Sequence, residues 1–428
     1  MMRIVVNNDL QENEIAISHN ILPNKKNGTI EIGMWKKDVV INRIETEEEI
    51  HVPEGFFPFH VPLHLKYKWK ETQGTLKLGP VIAFLVTDGK KKYSGIKRYK
   101  RYMSNYPRVN GIVFISTVEQ TDFERNEMKG FFYDPVKKDF DPVERTFPFP
   151  DAVYRRCNFR KKSKYHLLSS KLNNKIFNGP VLNKYKQYQT FLKDKKVLSH
   201  FPNTKLLKSI KSVEEMLMKY SAVYMKPISS YKAKGIVTVC KKDDRYIITE
   251  NTVKDVMTRK ELIKYIKRLK KNKRYILQQA VPCIDEKNIV FRAIMQKNEE
   301  NRWMFTGGYS RVGSEGSVVT NRLHTKEFLS IQECFQKYYQ LSQSQADDFE
   351  KKLVETCLNV CRGFDKAKVN FGDLAFDIMV DHQLKIWVIE VNNRAHNHRS
   401  PLLTVKDRKL YRKVVSTPLL YAKYLSGF

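Results

Sequence analysis

The stretch Gly372–Asn393, GDLAFDIMVDHQLKIWVIEVNN, constrains the fold more than any other. Two apolar runs flank a polar turn at Asp381-His382-Gln383, which predicts a hairpin of buried strands. Alternation puts Leu374, Phe376 and Ile378 on one face and Asp373, Ala375 and Asp377 on the other. The second run, Ile386 to Ile389, ends in Glu390-Val391-Asn392, so Glu390 and Asn392 share a face. Pairing across the hairpin brings Asp377 beside them. Two carboxylates in an otherwise apolar strand pair are costly unless a cation or base compensates them. With the Asn392 amide oxygen they form a hard-oxygen set suited to Mg²⁺.

At 428 residues the chain is long enough for two or three domains. Its net charge of +32, from 78 basic against 46 acidic residues, favours polyanionic partners. The basic residues are dispersed. Lys90-Lys91-Lys92, Arg155–Lys164 and Lys264–Arg274 read as solvated faces. No RNA-binding signature or zinc-finger spacing accompanies them, so nucleic acid is expected only as a non-specific, salt-sensitive partner. Six cysteines without a Cys-x-x-Cys point to a reducing compartment, with Cys357 and Cys361 packing on one helix face. The amino terminus lacks a signal pattern, and no apolar run nears the roughly 20 residues of a membrane helix. A soluble, cytoplasmic protein with no membrane partner is expected.

Three segments follow from the patterning. Residues 1–77 read as a small β-rich domain, with strands at Arg3–Val6, Thr29–Met34 and Asp38–Ile44 broken by turn residues. Residues 78–177 read as an open α/β domain. Strands are expected at Val81–Val86, Gly111–Ser116, Gly130–Tyr133 and Ala152–Tyr154, with a helix at Tyr99–Tyr106. Residues 178–428 form the third, α/β in class. Here Asn183 caps a helix running to about Lys195, and capping boxes Ser212/Glu215 and Thr258/Glu261 open two more. Strands are predicted at Ala222–Lys226, Gly235–Val239, Tyr275–Val281, Ile289–Gln296 and Trp303–Tyr309, with a helix from Ser344 to about Cys361.

Chemistry-bearing residues cluster in this third segment. Lys226 ends a strand before a small polar loop with Ser229, Ser230 and Gly235, whose backbone N–H groups and lysines suit a phosphate chain. It is not a P-loop, since Gly-Lys-Ser/Thr opening a helix is missing. In Tyr275–Pro282, Gln278 and Gln279 precede an apolar pair, and backbone groups near Gln279 and Val281 offer a donor and an acceptor to an adenine edge. Arg292 and Arg311 lie on or beside strands that otherwise read as buried, and each suits a bidentate clamp on a phosphoryl group or carboxylate. Asn321 follows. His396 and His398 read as exposed tail histidines, with an acceptor-lining role as the alternative.

The order of Lys184, Lys226 with its loop, the Gln-Gln strand, the arginines, then Asp377, Glu390 and Asn392 resembles the ATP-grasp superfamily. That resemblance spans about Asn178 to His398, with the 78–177 region matching the pre-grasp domain. It implies ATP held between two subdomains, two Mg²⁺ ions on Asp377, Glu390 and Asn392, and phosphate contacts from Lys184 and Lys226. LGPVIAFLV, FPFPDAVYRR, NKYKQYQTFL, FPNTKLL and RVGSEGSVVTN narrow it to the YheC/YheD endospore coat-associated family. Two departures stand out. Val290 replaces an acid expected near the ribose, leaving Asp285 or Glu286 for that role, and Asn321 is followed by Arg-Leu-His-Thr in place of a small, glycine-rich run. The leading expectation is an ATP-dependent carboxylate–amine ligase, with Arg292 and Arg311 at the transferring phosphoryl group or acyl phosphate. The family implies a place in the mother cell of a sporulating bacterium, associated with spore coat components. The charge suits an acidic, carboxylate-bearing substrate, a polymer or a coat protein. The rival is a coat structural or interaction protein that keeps the fold and binds nucleotide without turnover.

Overall fold

The computed structural model describes residues 1–87, 93–157, 162–179, 181–229, 235–250, 253–271, 273–282, 287–313 and 325–428. Ser230, Asp285, Glu286 and Asn321 fall outside the described residues. The chain divides into two compact units, one of Met1–Gly179 with Lys297–Arg302 and Arg412–Phe428, the other of Pro180–Gln296 with Trp303–Tyr411. Each therefore draws on separated stretches of chain.

The first unit holds two seven-stranded sheets, changing over between Thr75–Gly79 and Val81–Leu85. The second sheet is open, with Val81–Leu85 parallel to both Ile112–Asp122 and Ala152–Arg155. One apolar core, from Met2 to Ile176, runs beneath both sheets. At their junction Lys77 bridges Glu31 (2.5 Å) and the fully buried Asp151 (2.6 Å), and Asp151 also accepts the Val81 N–H. The expected helix near residue 100 is a 3₁₀ helix over Lys97–Asn105 followed by Tyr106–Val109, where Pro107 is tolerated in the first turn.

The second unit holds a six-stranded and a five-stranded sheet. The six strands run in the order Thr204–Leu206, Tyr275–Gln279, Ala222–Pro227, Val237–Lys242, Arg245–Glu250, Val253–Met257, all neighbours antiparallel. The five run in the order Thr325–Leu329, Trp303–Gly313, Ile289–Lys297, Asp373–Val380, Ile386–Asn392. One face of this smaller sheet, carrying Phe291, Leu374, Phe376, Ile378 and Val388, packs on helices Ile331–Tyr339 and Gln343–Lys366. Cys357 and Cys361 sit fully buried in that core, as their spacing predicts. Several boundaries differ from expectation. The Asn183-capped helix ends at Thr190, because Phe191 turns into the core against Phe201 and Phe364. The capping box expected at Ser212/Glu215 is built on Ser209, with Ser212 as its reciprocal member, so the helix begins at Ile210. Thr258 and Glu261 cap Arg259–Lys270 as predicted. The long helix starts at Gln343 behind an Ser342/Gln345 box. Among the described residues, no helix is long and apolar enough to cross a membrane.

Candidate functional site

Register decides which side chains meet. In the hairpin Asp377 pairs with Glu390 and Ala375 with Asn392, while Ile378 pairs with Val388, so Ile389 is an extra residue in a bulge. Directly paired residues share a face. Asp377, Glu390 and Asn392 therefore come together, as the alternation predicts, and Asn392 Nδ2 donates to Asp377 Oδ2 at 3.1 Å. The adjacent strand pairs Arg292 with Asp377, which adds Arg292 to the same face.

Cations surround the carboxylates. Arg311 Nη2 donates to Asp377 Oδ1 at 2.6 Å and Arg292 Nη2 lies 3.1 Å from the same oxygen. Lys184 Nζ donates to Glu390 Oε1 at 2.6 Å. Burial pushes the Asp377 carboxyl up, but Arg292 and Arg311 outweigh it and hold it below the ordinary range. Lys226 is buried on the facing sheet, its Nζ donating to Gln278 Oε1 at 2.5 Å and lying over the Tyr224 ring. Burial, then the charge on Lys184, lowers its pKa to about 7 against the pull of Glu390 and Asp377. Four cationic side chains thus attend two carboxylates. The buried Nε atoms of Arg292 and Arg311 have no hydrogen-bond partner among the described residues. Buried donors are seldom left unpaired unless a ligand or water takes them.

The oxygens of Asp377, Glu390 and Asn392 fit a hard divalent ion: they are adjacent, acceptor-rich and set in a partly buried face. Beyond them the same face turns apolar. Met379 and Trp387 join Val281 and Val290 in a small cluster of their own, with Ile389 packed against it. Val290, the departure from the expected acid, is one wall of that cluster. A cleft of about 340 Å³ opens beside it, lined by Phe201, Asn203, Gln279 and Trp387 among others.

Gln278 is buried and turned to Lys226 and, through Nε2, to Thr204. The side-chain oxygen of Gln279 accepts the Asn203 N–H. Ser229 is exposed, and Gly235 sits at φ +74°, a left-handed conformation that suits glycine. His396 and His398, expected as exposed, are buried instead, with each Nε2 2.9 Å from one oxygen of the Asp373 carboxylate. A fully buried carboxylate needs such partners, which is why the segment after Asn393 folds inward. Sequence reasoning missed Gln187 and Asn393. Gln187 Nε2 donates to Val391 O (2.8 Å) and its Oε1 accepts Val391 N–H (3.1 Å). Asn393 exchanges two bonds with the Leu182 backbone. Together they fix helix Lys184–Thr190 to the Glu390 strand, which sets Lys184 over Glu390.

A family model described as YheC/D like ATP-grasp matches residues 173–425, more than half the chain. The chain is 21% identical over 312 residues to the endospore coat-associated protein YheD of Bacillus subtilis (strain 168), covering 69% of this chain and 67% of that protein. Among solved structures it is similar to N5-carboxyaminoimidazole synthase from Aspergillus clavatus in complex with ADP and 5-aminoimidazole ribonucleotide. The TM-score there is 0.48, with 11% identity over 81% of this chain and 79% of that one. VanG D-Ala:D-Ser ligase from Enterococcus faecalis gives 0.47, with 11% identity over 79% and 98%. The chain belongs to the YheC/D-like ATP-grasp family.

Proposed function

We propose that this chain binds Mg²⁺-ATP on the face bearing Asp377, Glu390 and Asn392 and joins a carboxylate to an amine. The observation that carries the reading is the convergence of Lys184, Lys226, Arg292 and Arg311 on two carboxylates, with the Nε atoms of both arginines buried and unpaired. Lys184, Arg292 and Arg311, with a partly protonated Lys226, leave a positive surplus over the two carboxylates that a triphosphate neutralises. Asp377, Glu390 and Asn392 would hold Mg²⁺, which supplies charge neutralisation at the phosphates. Lys226 and Lys184 steady the phosphate chain. The apolar cluster of Val281, Val290, Met379 and Trp387 offers walls to an adenine, with the backbone past Gln279 along its edge. Arg292 and Arg311 offer their free Nε–H groups to the transferring phosphoryl group. In the reaction class proposed, a substrate carboxylate oxygen takes the γ-phosphoryl group and ADP leaves. An amine then attacks the acyl carbon, phosphate leaves, and an amide remains. The substrate is proposed to be acidic, a polymer or protein of the spore coat, on the strength of the net charge and the family.

A second reading, nucleotide binding without turnover, has one observation in its favour: both Asp377 oxygens are already engaged, Oδ1 by the arginines and Oδ2 by Asn392. Calorimetry of Mg²⁺-ATP binding to the natural protein and to Glu390→Ala/Asn392→Ala tests the site. Micromolar binding lost in the variant is expected; no binding by the natural protein would sink the proposal. ADP release on adding acidic acceptors with amines separates the ligase from the non-turning binder.

A further inference from the structure

Asp373 begins the strand that carries Asp377 four residues later, about 13 Å away at strand rise. It is fully buried. His396 Nε2 lies 2.9 Å from its Oδ1 and His398 Nε2 lies 2.9 Å from its Oδ2. The two side chains are 4% and 2% exposed, and the rings stand 4.5 Å apart at 64°. One ligand atom from each of the three residues falls within 4.8 Å of the others. Around them, Gln296 Nε2 donates to Asp373 Oδ1 at 2.9 Å, and Thr306 donates to Gln296 Oε1 at 2.9 Å, which fixes the carboxylate's orientation.

We infer that Asp373, His396 and His398 bind a zinc-class divalent transition-metal ion, separate from the magnesium set. Two imidazole nitrogens are borderline donors, and beside one hard carboxylate oxygen they favour a first-row transition ion such as zinc over the hard ions Mg²⁺ and Ca²⁺. Bond lengths of about 2.0–2.1 Å in a tetrahedral site place neighbouring ligand atoms roughly 3.3 Å apart, so the two His–Asp pairs at 2.9 Å would open by about 0.4 Å and the widest pair, within 4.8 Å, would close by up to about 1.5 Å. The Gln296–Thr306 relay is the kind of outer hydrogen bonding that orients a metal-binding carboxylate. A divalent ion there ties the 394–398 segment to the start of the Asp377 strand, and so braces the stretch that follows Glu390 and Asn392.

The test is metal content by plasma mass spectrometry of the full chain, purified without chelator or metal-affinity resin. About one equivalent of zinc is expected. After stripping, Co²⁺ should restore one equivalent, with visible d–d absorption of a four-coordinate site. His396→Gln/His398→Gln keeps amide donors for Asp373 but removes the imidazoles, and should lose the ion while keeping its circular dichroism. Glu390→Ala/Asn392→Ala should keep it. Zinc-free natural protein that takes up no Co²⁺ would overturn the site and leave the triad a hydrogen-bonded anchor. So would full metal content in the double glutamine variant. Should that variant fail to fold, the Co²⁺ spectrum of the natural protein decides alone.

Discussion

Titrating Lys226 tests the proposed nucleotide site by a route independent of turnover. Its ammonium is buried and lies near Lys184, and these two effects bring its pKa to about 7. A phosphate chain closing on it should restore the value toward the roughly 10.4 of a free lysine. At pH 8 the unliganded site is then about one-tenth protonated and the liganded site nearly fully so. Binding takes up about 0.9 proton. The sign follows: affinity is highest below pH 7, where Lys226 already carries its proton, and falls about tenfold per pH unit above it. From pH 8 to 9.5 the loss is roughly 30-fold. In that range the second phosphate ionisation, near pH 6, is complete and adds no slope. Calorimetry at pH 8 in two buffers of different ionisation heat counts the protons directly. Lys226→Arg, with a guanidinium charged throughout, should bind with a flat pH profile. Mg²⁺-ATP binding without proton uptake, or an unchanged slope in Lys226→Arg, would refute the assignment of the proton to Lys226.

Gln187→Leu should strip the Val391 N–H of its side-chain partner and leave the Val391 carbonyl only the 3.5 Å bond from Asn393 Nδ2. Urea unfolding should show a loss of about 1–3 kcal/mol, and calorimetry weaker nucleotide binding as Lys184 loses its place over Glu390. Lys77→Met leaves Asp151 buried without its cation and should cost about 3–5 kcal/mol in the first unit. Adding Asp151→Asn should recover most of that loss in the same unfolding assay. Phe335→Ala removes a ring stacked on Phe291 in the core beneath the five-stranded sheet, and should cost about 3–5 kcal/mol.

What the sequence made legible was local or periodic. Asp377, Glu390 and Asn392 could be brought together because a strand's period is two and a short polar turn fixes the pairing. The bulge at Ile389 sits between Val388 and Glu390, yet it leaves that match intact. The Thr258/Glu261 box was legible for the same reason, since its partners lie three residues apart. The helix Ile331–Tyr339 went unread, although Ser330 and Glu333 carry the same signature. Arg408–Ser426 did too, where Pro418 interrupts an otherwise helical apolar spacing.

Contacts between distant stretches leave a weaker trace. Gln187 reads as one polar residue in a polar helix, and nothing near it announces a pairing with Val391, 204 residues away. His396 and His398 are different in kind. Their spacing in an extended segment was visible, and so was a carboxylate at the start of the preceding hairpin. What went unread was that Asp373 stands among apolar neighbours on its strand, so that the two histidines expected to be exposed had a buried partner to meet. A carboxylate committed to the interior by its neighbours must find cations or donors. Arg292 and Arg311 answer that demand at Asp377, and the two histidines answer it at Asp373. The buried acid is therefore the residue from which its partners are to be sought, and an Asp on a near-continuous apolar strand predicts a cation or donor even when it does not say which.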